Sequence, residues 1–140
     1  MPVSTSAVLG APIESVWALI GDFANLMRWH PLVVKCEADG VGEGATRKVH
    51  FADWWASERL DSRDADNFAV AYSVLDRSRP VTIGVRGTMR LTPEGPDRCR
   101  LDWTSGFEED HPNAAGVNAM LAQYYPVRIG HLRAALGLDA

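Results

Sequence analysis

The spacing of hydrophobic residues changes along the chain, and this change predicts the order of helices and strands. A first extended segment, Val3–Leu9, precedes a helix that starts at Ala11-Pro12, because proline is tolerated at the first helical position. A second short helical segment, Asn25–Trp29, follows the glycine that ends this helix, Gly21. The apolar stripe of the first helix recurs every three or four residues: Ile13, Val16, Trp17 and Ile20.

From residue 33 onward, apolar and polar residues alternate, which is the spacing of strands exposed to water on one face. The connecting segments are short and rich in Gly, Pro and Asp, including a polar turn over Asp61–Asn67, so we expect an antiparallel meander. The longest strand should bury Val81, Ile83, Val85, Met89 and Leu91. The predicted strands are Val33–Ala38, Ala45–Phe51, Trp54–Asp61, Ala69–Leu75, Val81–Thr92 and Arg98–Phe107.

A long helix closes the pattern from Asn113 to Leu136, with Gly137 as its stop and Pro126 as a predicted kink. We expect one α+β domain over residues 1–140, in which a seven-stranded antiparallel sheet wraps this helix and the two short helices close one end. An apolar cavity between sheet and helix is then the default small-molecule site. The inner stripe of the helix is predicted as Val117, Met120, Leu121, Tyr124, Arg128 and Leu132.

Composition narrows the classes of partner. The net charge is -4, and Lys and Arg are dispersed, so the chain lacks the basic patch of a nucleic-acid binder. No apolar run approaches the roughly 20 residues that span a bilayer, and the first residues do not resemble a secretory signal, so we expect a cytoplasmic protein. Cys36 and Cys99 are interpreted as buried thiols rather than a disulfide. Both a monomer and a homodimer fit this pattern.

Several motifs that carry chemistry are missing from the sequence. The four histidines show no metal-ligand spacing, no Cys pair has zinc spacing, and no nucleophile elbow is present, so we expect neither a metal nor a cofactor. The segment Gly40–Gly44 is glycine-rich, but a strand follows it rather than a helix N-terminus. A phosphate-binding loop is therefore rejected.

Glu58 is the candidate for acid–base chemistry. It shares the strand parity of Ala56 and Leu60, which points it to the inner face. An apolar cavity disfavours the charged form of a carboxyl group, which would suit proton transfer near neutral pH. The alternative is a structural ion pair with inward Arg47 on the neighbouring strand. We favour this pair over catalysis, and favour Glu58 as a lining residue in either case.

Two further residues carry open alternatives. Arg128 follows the helical spacing of the inner stripe and could hold a carboxylate or enolate oxygen, as could Arg47. Equally, it could pair with Glu58 or extend its charge to the cavity mouth. His30 stands before Pro31 at the end of the short helix and could shuttle protons, although we favour a simply packed histidine.

Aromatic side chains could form part of the cavity wall. Tyr72, Tyr124 and Trp103 could stack on an aromatic ligand or belong to the core. Trp54 and Trp55 are adjacent at a predicted hairpin tip and cannot both be buried by one sheet face. We expect one of them to cover the cavity mouth, with a contact to a partner protein as the alternative.

An ordered set of short motifs covers nearly the whole chain. It resembles the helix-grip superfamily of START-related lipid-transfer domains, birch-pollen-allergen-like proteins and bacterial polyketide cyclase/dehydrase-like proteins. The resemblance implies the same helix-grip fold, but not one activity, because the superfamily contains binders, carriers, receptors and enzymes. The matching motifs are Ala11–Trp17, Trp29–Pro31, Gly42–Arg47, Glu58–Asp61, Tyr72–Leu75 and Leu101–Trp103.

We therefore expect the chain to bind a hydrophobic small molecule, such as a polyketide, lipid or aromatic metabolite. The alternative is a cyclase or dehydratase without cofactor, in which Glu58 and His30 move protons. A weaker alternative is a protein-interaction module that uses Trp54 and Trp55. The predicted ligand-binding residues are Arg47, Val49, Phe51, Trp54, Glu58, Tyr72, Val74, Trp103, Met120, Tyr124 and Arg128.

Overall fold

Seven strands form one antiparallel sheet in the computed structural model, which describes residues 3–78, 83–108 and 110–138. Two α-helices and one short 3-10 helix, Phe23–Arg28, accompany the sheet in the described part of the chain. The predicted α+β helix-grip architecture is confirmed. The elements are β1 (Val3–Leu9), α1 (Ile13–Ile20), β2 (Lys35–Asp39), β3 (Thr46–His50), β4 (Trp55–Asp64), β5 (Ala69–Arg77), β6 (Arg86–Pro93), β7 (Cys99–Gly106) and α2 (Ala114–Ala135).

The strand order is β1-β7-β6-β5-β4-β3-β2. The first strand therefore pairs with the last, β7, and forms one edge of the sheet. Along β6, residues Gly87, Met89 and Leu91 are buried while Arg86 and Arg90 are exposed, which gives the sheet one wet face. The inner face is covered by α2, which contacts β1 and β7, while the 3-10 helix contacts β2 and β3. The core therefore lies between the inner sheet face and α2.

Helix α2 buries residues spaced three or four apart, and this stripe differs from the predicted one. Tyr125 and Ile129 are buried, whereas the predicted Met120 is 45% exposed and Tyr124 is half-buried. Four of the six predicted residues are buried as expected, namely Val117, Leu121, Arg128 and Leu132, so the buried face is rotated by less than the angle of about 100° that separates adjacent residues. The buried stripe is Ala114, Val117, Leu121, Tyr125, Arg128, Ile129 and Leu132.

The amide of Asn118 joins this helix to the end of β7. Asn118 Nδ2 donates to the carbonyl oxygen of Phe107 at 2.8 Å, and Phe107 N donates to Asn118 Oδ1 at 2.9 Å. The preceding residue, Gly106, has a φ of +116° that brings the backbone against this amide. Residues with a side chain rarely adopt that conformation, so the position requires glycine.

Other predicted boundaries need correction. The strand predicted over Val81–Thr92 begins only at Arg86, because Ile83 and Gly84 form a turn in which Gly84 has a φ of +92°. Residues 81 and 82 lie outside the described part. The predicted polar turn over Asp61–Asn67 is shorter than expected, since β4 continues to Asp64.

The two cysteines also differ from their shared prediction. Both are free thiols, and Cys99 is buried as expected, but Cys36 is only half-buried. Cys36 lies on β2, which is an edge strand of the sheet and is mostly exposed. The edge position explains why alternation alone overestimated the burial of Cys36.

Candidate functional site

A cavity of about 220 Å³ lies between the inner sheet face and α2. Its wall is mostly apolar, with a few charged and hydroxyl groups, and it is built from β3, β4, β5, β6, β7, α2 and the segment around the 3-10 helix. The structure brings every predicted site residue to this one cavity. They are His30, Arg47, Val49, Phe51, Trp54, Glu58, Tyr72, Val74, Trp103, Met120, Tyr124 and Arg128.

Arg47 and Glu58 form an ion pair in the cavity wall. They stand directly opposite each other on β3 and β4, as strand parity predicted. Arg47 Nε donates to Glu58 Oε1 at 2.8 Å, and Arg47 Nη2 lies 2.7 Å from the same oxygen. The remaining nitrogen, Nη1, donates to the carbonyl oxygen of Phe23 at 2.9 Å. All three nitrogens of this guanidinium are therefore engaged by the protein.

The pair is packed as well as hydrogen-bonded. The Arg47 guanidinium lies 4.2 Å from the centroid of the Phe23 ring, and Glu58 follows a register shift in β4 that places it opposite Val74 on β5. Charge-assisted contacts of this kind fix both side chains in one geometry. The carboxylate of Glu58 is consequently paired with a positively charged neighbour rather than isolated among apolar groups.

Arg128 lines the same cavity from α2, but its partners differ from those of Arg47. It is 5% exposed, and its Nη1 donates to His131 Nδ1 at 3.2 Å. Its guanidinium carbon lies 3.7 Å from the centroid of the Tyr124 ring, a cation–π contact. The Nε atom is buried without a hydrogen-bond partner. Within the described residues, Arg128 forms no ion pair.

His30 lies beside this arginine at the end of the 3-10 segment. Its ring is 5% exposed, 6.0 Å from the ring of His131 and 5.5 Å from that of Phe51. Burial, and after it the positive charge of Arg128, lowers the pKa of His30 from 6.5 to about 3. The imidazole is therefore neutral at physiological pH, and its Nδ1 is buried without a partner.

A cluster of aromatic side chains forms another part of the cavity wall. Trp103 Nε1 donates to the Tyr72 hydroxyl at 3.2 Å, and the Trp103 ring stacks on Tyr125 at 4.2 Å. Burial raises the pKa of Tyr125 to about 12 and that of Tyr72 well above its usual value. Both phenols thus stay protonated at neutral pH and are uncharged parts of the wall.

Trp54 lies at the rim of the cavity, and the two tryptophans face different neighbours. Trp54 stacks on Phe51 at a centroid distance of 3.9 Å, and the Arg77 guanidinium lies 4.4 Å from its ring. Trp55 instead packs under Lys48, whose Nζ is 4.6 Å from the ring. Trp54 lines the cavity, Trp55 is not among the lining residues, and both are half-buried. That one of them covers the cavity mouth stays a prediction.

Some lining residues were not among those predicted. Tyr125 is the most important of them, and the spacing of four from Val117 through Leu121 to Tyr125 was the signal that could have found it. Arg77 lies at the end of β5, beyond the predicted end of that strand. The unpredicted lining residues are Leu26, Trp29, Ala56, Arg77, Val85, Met89, Leu121 and Tyr125.

No group of three His, Cys, Asp or Glu side chains in the described part of the chain is arranged to hold a metal ion. No helix in residues 3–78, 83–108 or 110–138 is both long and apolar enough to cross a membrane.

Residues 2–137 match the family model described as polyketide cyclase / dehydrase and lipid transport. No curated protein matches the sequence.

Several solved structures share the fold over nearly the full length. An uncharacterized protein from Bacillus thuringiensis superposes with a TM-score of 0.81 at 21% identity, covering 96% of this chain and 98% of that one. A protein from Thermobifida fusca gives 0.79 at 27% identity, with 94% and 89% covered. Norcoclaurine synthase from Thalictrum flavum, solved with dopamine and hydroxybenzaldehyde, gives 0.74 at 13% identity, with 100% and 88% covered.

Proposed function

The chain belongs to the polyketide cyclase/dehydrase and lipid transport family, and we propose that it binds a small hydrophobic molecule in the cavity between the sheet and α2. The observation that carries this proposal is the cavity itself, whose apolar wall is interrupted by a few buried polar groups. A wall of this composition is typical of sites that bury a ligand and orient it through a small number of polar contacts.

The size of the cavity favours one ligand class over the others. At about 220 Å³ it is smaller than the roughly 300–1,000 Å³ of sites for drug-sized ligands. A long-chain lipid or a polycyclic polyketide would not be enclosed without rearrangement of the wall. Trp29, Trp103 and Tyr125 present flat aromatic surfaces, so we propose an aromatic metabolite of one or two rings.

The experiment is native mass spectrometry of freshly purified protein, followed by organic extraction of whatever is bound. A discrete additional mass that is lost on extraction would support the proposal. Ala56→Leu fills the cavity from β4, while Ala71→Leu adds the same side chain to β5 opposite the exposed Thr88. The additional mass should disappear in the first variant and persist in the second. A mass retained equally in both would place the ligand elsewhere.

A second candidate function is a cofactor-independent cyclase or dehydratase. The family description names such enzymes, and norcoclaurine synthase, which shares the fold, was solved with two small aromatic molecules. In this scheme Glu58 removes a proton from a carbon next to a carbonyl group. The electron pair moves onto the carbonyl oxygen, and Arg128 stabilises the resulting enolate.

Glu58→Gln separates the two functions. The amide keeps the shape of the side chain and an oxygen for Arg47 but cannot accept the substrate proton. In an enzyme, turnover of the extracted ligand class should fall by about 10²-fold or more while its affinity changes little. In a binder there is no turnover to lose, and affinity again changes little. A thermal melt of the variant, compared with wild type, verifies that the loss of charge beside Arg47 has not unfolded it.

A further inference from the structure

Arg128 is a buried cation for which the described residues supply no counter-ion. The residue is only 5% exposed and borders the cavity, and it forms no ion pair within residues 3–78, 83–108 and 110–138. Removing a charge from water costs several kcal/mol unless it is paired and hydrogen-bonded. The two contacts it does make, with His131 Nδ1 and with the Tyr124 ring, supply no negative charge.

The second arginine of the cavity, Arg47, has a partner for each of its guanidinium nitrogens. Arg47 has a carboxylate partner, Glu58, and a carbonyl partner, so all three of its nitrogens are used. In Arg128 only Nη1 has a partner, while Nε is buried without one and no hydrogen bond of the described residues uses Nη2. Arg128 therefore lacks a hydrogen-bond acceptor that Arg47 has among the described residues. Because Arg128 lines the cavity, a bound ligand could supply that acceptor.

A further unsatisfied group lies at the same end of the cavity. His30 Nδ1 is buried without a partner, and its ring is 6.0 Å from the ring of the histidine that Arg128 contacts. Because Arg128 and burial keep this imidazole neutral, it adds no second positive charge but can donate one hydrogen bond. Arg128 and His30 thus form a pair of donors, one charged and one neutral, in a largely apolar enclosure.

We propose that the ligand of this cavity carries a carboxylate, which binds the Arg128 guanidinium and accepts a hydrogen bond from His30. This inference rests on the proposed binding function and names the chemical class of its ligand: a small aromatic carboxylate. The planar fork of arginine matches the two oxygens of a carboxylate, and the aromatic side chains that line the cavity accommodate the ring system.

The experiment compares two probes of the same shape and different charge. β-Naphthoate is an anion at neutral pH and β-naphthamide is neutral, and both are titrated into the extracted, ligand-free protein by isothermal calorimetry. We expect naphthoate to bind the wild-type protein at least about tenfold more tightly than naphthamide. Equal affinities would overturn the inference and leave the proposed binding function standing. Failure of both probes to bind would overturn both.

Variants of Arg128 test whether the preference originates at this residue. Arg128→Met should abolish the difference between the two probes while keeping naphthamide binding. It should also leave the melting temperature of the ligand-free protein unchanged or raised, because the variant removes an unpaired buried charge. Arg128→Lys keeps a charge at the position and should retain part of the preference. It also serves as the second test if the methionine variant does not fold.

Arg133 provides the matched control. It lies on the same helix, donates to the carbonyl oxygen of Val8 at 2.9 Å and is not part of the cavity wall. Arg133→Met should therefore keep the wild-type ratio of the two affinities. A preference for naphthoate that survives Arg128→Met, or that is lost equally in Arg133→Met, would contradict the assignment of the carboxylate to Arg128.

Discussion

Lowering the pH from about 7.5 to about 5 should destabilise the ligand-free protein through His30. In the folded state the pKa of this side chain is about 3, because the ring is buried and Arg128, His131 and Arg47 face it. In the unfolded chain it returns to 6.5. Between these two values the unfolded state binds a proton that the folded state does not. The free energy of unfolding therefore decreases as the pH falls below 6.5.

The magnitude follows from the two pKa values. Each pH unit between them removes up to about 1.4 kcal/mol, so His30 should reduce the free energy of unfolding by about 2 kcal/mol at about pH 5. Above about pH 7.5 the ring is neutral in both states and contributes no pH dependence. The pKa of neighbouring His131 is also lowered, by burial and then by Arg128, and adds a loss of the same sign. Part of the pH dependence should therefore remain when His30 is replaced.

The assay is urea unfolding of wild type and His30→Gln at several pH values across this window. The variant should lose about 2 kcal/mol less than wild type between the two ends, because glutamine does not titrate. His111→Gln leaves His30 in place and is the matched control, which should keep the wild-type difference. Identical pH dependence in wild type and His30→Gln would refute the reasoning.

Three further predictions concern packing. Gly106→Ala would place a methyl group on the Asn118 amide at a φ that only glycine adopts readily, so we expect urea unfolding to show a loss of about 1–3 kcal/mol; an unchanged midpoint would contradict this. Leu132→Ala removes a fully buried side chain and should cost about 2–5 kcal/mol in the same assay, with a loss below this range contradicting it. Cys99 should resist N-ethylmaleimide in the native protein, whereas Cys36 should react and both should react in urea; mass spectrometry that finds two native adducts would disprove this.

Much of the fold could be predicted because its signals are local. The alternation in β7 and the glycine at the end of α2 depend on a few adjacent residues, and these two elements were found within one residue of their bounds. The start of β6 was misplaced because Ile83 continues the apolar alternation while Gly84 turns the chain. Alternation reports which residues would share a face if the strand existed, not where a turn interrupts it.

The site was predicted less completely, for a different reason. Arg47 and Glu58 could be paired from strand parity, since neighbouring strands fix which side chains meet. Tyr125 was missed because Tyr124 and Tyr125 are adjacent, and the choice between them depends on how α2 is rotated against the sheet. That rotation is set by packing against β1 and β7, which no short window of the sequence contains. The exposure of Met120 has the same origin.

The two arginines of the cavity bear on whether the chain is a binder or an enzyme. Glu58 receives two contacts from Arg47 on a single oxygen, and an acid–base role would require it to exchange a proton while it holds that cation. Those contacts hold this oxygen against the guanidinium of Arg47 rather than leaving it free to face a substrate. Arg128 and His30, in contrast, keep donors that no group in the described part of the chain satisfies. Buried donors of this kind are completed by a bound acceptor, so the polar chemistry of the cavity is concentrated where a ligand would be held. This asymmetry is why binding stands as the first proposal and catalysis at Glu58 as the second.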